Sequence, residues 1–90
     1  MVGIELSEQE ALILFEFLAR EIGDRKGKRL AAALEHPAEY WALNGVHCLL
    51  ESKLAEPFAD NYHELLAAAR DKLLNQCDPE RSYGPIGGQD

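Results

Sequence analysis

Ninety residues with a net charge of −7 make one small acidic domain, too short to enclose a deep cavity. Sixteen acidic residues against nine basic ones argue against nucleic acid as a partner, because that binding depends mostly on neutralising phosphates. No apolar run approaches the ~18 residues of a membrane span, the first residues lack the basic and apolar parts of a signal peptide, and two cysteines are few for a small secreted domain. A cytoplasmic protein that engages no membrane is the expectation.

The chain opens with an alternation, Val2, Ile4 and Leu6 against Gly3 and Glu5, which predicts a short extended arm or strand. Ser7-x-x-Glu10 is a capping box, and Glu8 and Glu10 suit the positive start of a helix. Ala11, Leu14, Phe15, Leu18 and Ile22 then recur at helical spacing, so the first helix should run to about Ile22. Gly23 follows where a left-handed residue would end it.

Arg25, Lys26, Lys28 and Arg29 come next, four cations within five positions. A phosphate-binding P-loop would need G-x-x-x-x-G-K-[ST] after a strand. Here the glycines are one residue too close, no hydroxyl follows Lys28, and a helix precedes. The segment reads better as the place where the helix stops, its cations facing the negative helix end. Its alternative reading is an anion-binding loop.

Residues 30–34 (LAAAL) predict one or two further helical turns. Pro37 then suits the first position of a longer helix, with a stripe of Tyr40, Leu43, Val46, His47, Leu50 and Leu54. Gly45 inside it costs ~1 kcal/mol relative to alanine, which a close helix crossing or a kink would explain. Pro57 breaks the chain. Asp60 or Asn61 should cap a last helix, Asn61 with Glu64 as a second capping box, and its stripe is Tyr62, Leu65, Leu66, Ala69, Leu73 and Cys77. The expected fold is mainly α: a small bundle of three to four helices over residues 1–77, with the N-terminal arm. Residues 78–90, rich in proline and glycine, should form an irregular, mobile tail.

Chemistry is sparse. His36, His47 and His63 with Cys48 and Cys77 contain no pair at i, i+3 or i, i+4, so no metal site is expected. His36 should lie near a helix start, His47 half-buried on the apolar stripe, and His63 exposed. No Cys-x-x-Cys, Gly-x-Ser-x-Gly or glycine-rich phosphate loop after a strand is present, and the glutamates fall on polar or boundary positions. No cofactor, catalytic residue or metal ligand is assigned. The surplus is apolar: Ile13, Phe17, Trp41 and Leu49 lie off the expected core lines. Either the arm and tail cover them, or they form a surface for a partner or a second copy.

The stretches "EALILFEFLAR", "HCLLESKLAEPF" and "NYHELLAAARDKL" resemble a group of small acidic helical bacterial proteins of unassigned function. These share E-A-L-x-L-F-E-F-L and L-L-E-x-x-L-x-E-P-F-x-x-x-Y-x-E-L-L-x-x-A-R. The likeness implies a standalone helical domain and transfers no catalytic residue. "RKGKR" and the glycine-rich tail fall outside it. The leading expectation is a non-enzymatic interaction module, of an immunity- or antitoxin-like kind, whose acidic face covers a basic protein surface. The alternative is an anion- or ligand-binding domain using Arg25, Lys26, Lys28 and Arg29, and an enzyme ranks third.

Overall fold

The computed structural model describes residues 1–78, and the expected tail lies outside them except for Asp78. Three helices form the frame: α1 (Glu8–Leu18), α2 (Pro37–Lys53) and α3 (Tyr62–Cys77). A π-helical segment, Ala19–Asp24, continues α1. Single 3₁₀ turns lie at Leu30–Ala33 and Glu56–Phe58. The described residues contain no strand, and the expected arm is unpaired with Val2 and Ile4 largely exposed. No helix among them is long and apolar enough to cross a membrane.

The helix starts follow local chemistry. Ser7 closes its capping box: its Oγ accepts from the Glu10 N–H at 3.1 Å, while its own N–H donates to Glu10 Oε1 at 2.9 Å. His36 caps α2, its Nδ1 accepting from the Ala38 N–H at 3.0 Å, and Pro37 opens the first turn. The second capping box is not formed. Asn61 has ψ 33° rather than an extended backbone, and its side chain makes no cap bond. The preceding 3₁₀ turn delivers the chain already curled, as the Ala59 carbonyl accepts from the Tyr62 N–H.

The core has two parts, one on each side of α1. Phe15, Leu18 and Ile22 pack with Leu50 of α2, flanked by Leu14, Tyr40 and Leu43. Leu12 packs with Leu66 and Ala69 of α3, flanked by Ile13, Tyr62 and Leu65. Leu54 touches both clusters. Of the leucines on the expected stripes, Leu18, Leu50 and Leu66 are buried, while Leu14, Leu43, Leu54, Leu65 and Leu73 are half-buried. Tyr62 ties α3 to α1 by donating its hydroxyl proton to Glu16 Oε1 at 2.6 Å. Burial, then that carboxylate, raises the phenol well above its usual range.

Candidate functional site

Two features stand out from the scaffold: the basic loop after α1 and the outward side of α2.

The loop is organised from inside. The π-helical segment buries Glu21 beside Ile22, leaving the Glu21 side chain 2% exposed. Three arginines converge on its carboxylate. Arg29 donates from Nη2 to Oε2 at 2.6 Å and from Nε to Oε1 at 3.2 Å. Arg25 Nη1 reaches Oε2 at 3.1 Å and Arg20 Nε reaches it at 3.4 Å. The two-pronged Arg29 contact is the strong geometry for a carboxylate. It is the leading cause that holds the Glu21 carboxyl below the usual range, with Arg20 and Arg25 adding to it against the opposing effect of burial. Arg29 is raised in turn, first by its hydrogen bond to Glu21.

The helix stop comes later than expected. Gly23 does not adopt a left-handed backbone; Lys26 (φ 53°) and Gly27 (φ 75°) do. The widened turn delays the end, so that the Gly27 N–H donates back to the Glu21 carbonyl at 2.7 Å. Thus Arg25 and Arg29 of the candidate anion loop are committed to an internal carboxylate. Only Lys26 and Lys28 of the four are clear of it, both exposed at the rim of a shallow depression of about 280 Å³ lined by Asp24 and the four cations. A second open depression, of about 180 Å³, lies between α1 and α3 and is lined by Glu8, Glu56 and Lys72 among others.

The four candidate interaction residues separate. Ile13 packs against the α3 cluster and so belongs to the core margin. Phe17 is only just exposed and lies under the Arg20 guanidinium, 5.5 Å from the ring centroid. Trp41 and Leu49 are 66% and 65% exposed on α2. Trp41 meets Tyr40 edge-on, with centroids 5.2 Å apart, and leaves its other faces open. Gly45 between them has nothing within 4 Å of where a Cβ would stand, so no helix crosses it within the described residues and α2 runs unbroken through it. Reading single residues missed that the whole run 41–50, WALNGVHCLL, carries no Asp, Glu, Lys or Arg. That signal was available in the sequence.

The histidines do not converge. His36 caps α2, half-buried His47 stacks 5.4 Å from Phe15, and His63 lies exposed beside Tyr62. Cys48 and Cys77 are exposed free thiols. Among the described residues no group of three or more His, Cys, Asp or Glu side chains could hold a metal ion. In comparisons with known proteins, no family model, curated protein or solved structure matches the chain.

Proposed function

We propose that this chain is a non-enzymatic protein-interaction module whose working surface is the outward side of α2. The observation that carries the reading is the uncharged run 41–50 with Trp41 and Leu49 standing two-thirds exposed on it. Large apolar side chains left in water are costly, and a partner that covers them recovers the cost. Trp in particular supplies anchor energy when a neighbouring surface encloses it. Glu35, Glu39 and Glu51 bound the run and, with the net charge of −7, favour a counterpart that is basic at its rim. An immunity- or antitoxin-like inhibitor of a basic enzyme has this character, and the cytoplasm is the compartment proposed for it.

The anion-binding alternative draws on the depression beside Lys26 and Lys28. It is weaker, because Arg25 and Arg29 would have to leave Glu21 to serve a ligand. In-cell photo-cross-linking separates the two. Leu49 is replaced by benzoylphenylalanine in the native host, with the same replacement at exposed His63 as control. Adducts specific to position 49 are expected. Equal or absent adducts at the two positions would remove α2 as the working surface.

A further inference from the structure

We infer that the occupant of the outward side of α2 is the α2 helix of a second copy, packed antiparallel with its crossing point at Gly45. The inference rests on the reading of α2 as an interaction face and names a second copy as its occupant, which leaves the acidic surface outside α2 to meet a basic protein.

The argument starts from spacing. Ala38, Gly45 and Ser52 recur every seventh residue and are all small and exposed. Trp41 and Cys48 follow them by three positions, Ala42 and Leu49 by four, and all four are exposed. A seven-residue repeat of this kind is the geometry of two helices packed side chain into gap. On a helical projection these residues fall within about 60° of the Gly45 direction and form one continuous seam.

The seam is self-complementary. Gly45 is its midpoint, and Trp41 and Leu49 stand four residues to either side. A two-fold axis at Gly45 therefore brings the Trp41 of one copy to the height of Leu49 of the other, on opposite flanks of the seam. Each indole then enters the gap bounded by Gly45, Cys48, Leu49 and Ser52, three of them small. Each Leu49 enters the gap bounded by Ala38, Trp41, Ala42 and Gly45. The bare glycine at the crossing point, with open space where a Cβ would stand, is what close approach of two backbones requires. Among the described residues of one copy nothing uses that space.

Local charge and buried area favour the pairing. Antiparallel helices set the positive end of each dipole beside the negative end of its partner. Glu39 and Glu51 point about 120° from the Gly45 direction, and so stay at the wet margin rather than in the seam. The same construction brings Lys53 of one copy alongside Glu39 of the other, twice. Seventeen residues make a helix about 25 Å long. Each exposed indole can remove upwards of ~150 Å² from water. With the leucines and the small residues, the total reaches the ~1,000 Å² at which a specific interface begins. The two net charges of −7 oppose pairing through the outer surface, so the contact should tighten as salt rises.

The test is sedimentation velocity of the full chain from low micromolar to millimolar concentration, at low and high salt. A species of twice the monomer mass is expected, favoured by salt, with Trp41 emission moving to the blue as it forms. Leu49→Glu and Gly45→Glu should each weaken it at least tenfold while circular dichroism stays helical, since neither position is packed within the monomer. In a Cys77→Ser background, Gly45→Cys with Cys48→Ser should form a disulfide-linked pair on mild oxidation. The native Cys48, displaced by about 9 Å along the axis from its symmetry mate, should not. Linkage through Cys48 instead would overturn the antiparallel arrangement. A dimer indifferent to both glutamates would overturn the seam. A monomer under every condition would overturn the second copy as occupant, and so would a monomer whose Trp41 emission is already blue, which would point to cover from the same chain. The cross-linking at position 49 keeps the two readings apart. An adduct with a different protein retains the interaction face and removes the self-pairing, whereas no adduct removes both.

Discussion

Gly23→Ala and Gly27→Ala form a matched pair with opposite expected signs. Gly27 has φ 75°, and a Cβ there would stand 2.7 Å from Tyr40 Cε1 and 3.1 Å from Cδ1. The left-handed backbone alone costs an alanine about 1–2 kcal/mol. The overlap adds to this, because the Tyr40 ring is itself packed against the Phe15–Leu18–Ile22–Leu50 cluster and has little room to withdraw. A total loss of about 2–3 kcal/mol follows, which lowers the melting temperature of a domain this size by roughly 10 °C or more. Gly23 has no left-handed backbone and open space around it. Alanine there should be neutral or stabilising by up to about 1 kcal/mol. Thermal unfolding of the two variants beside the wild type decides. Equal destabilisation, or a larger loss at Gly23, would mean that the helix ends at Gly23 and that the π-helical extension does not exist in solution.

Leu18→Ala removes a side chain 1% exposed at the junction of α1 and its extension, and should cost about 3–5 kcal/mol in urea unfolding, much of the stability of a small domain. Glu21 titrates below the usual range when folded, so its contribution is complete above the ordinary glutamate range and is lost as pH falls through its folded value. Glu21→Gln should therefore lower the melting temperature at neutral pH, and its gap to the wild type should narrow as pH falls below the ordinary glutamate range and on through the lower value at which the folded carboxylate takes up its proton; a constant gap across pH would show that the arginines do not hold a carboxylate. Tyr62→Phe removes the hydroxyl donated to Glu16 and should cost about 1 kcal/mol at neutral pH, the half-exposed position keeping the figure small.

Legibility in the sequence followed how local the determining physics was. The starts of α1 and α2 were readable because a cap is settled within four residues: Ser7 with Glu10, His36 with Pro37. The place of α1 in the bundle was not. A single stripe through Phe15, Leu18 and Ile22 describes a helix with one neighbour, whereas α1 has two. Leu12 was therefore passed over, although it anchors α3 through Leu66 and Ala69. Ile13 falls off that single stripe for the same reason, and it is α3, rather than the arm, that covers it. Which side of a helix is apolar is a local property; how many sides are covered depends on where the other helices arrive.

The basic loop shows the harder limit. Glu21, Arg25 and Arg29 stand four residues apart in succession, a spacing plainly visible in the chain. Helical spacing has meaning only while the helix continues, and from the sequence Gly23 reads as its end. The structure carries the turn on through Asp24 in a wider coil, then reverses at Lys26 and Gly27, and this returns Arg29 to the carboxylate it left eight residues earlier. Removing one of the three arginines leaves two to neutralise Glu21, whereas removing Glu21 leaves three cations crowded together with no anion. A charge cluster that looks like a site for an external anion is thereby explained by an internal one. Of the four cations of the loop, Lys26 and Lys28 alone are offered to solvent without a partner among the described residues, which weakens the loop as an anion site and leaves exposed Trp41 and Leu49 of α2 as the basis of the proposed interaction surface.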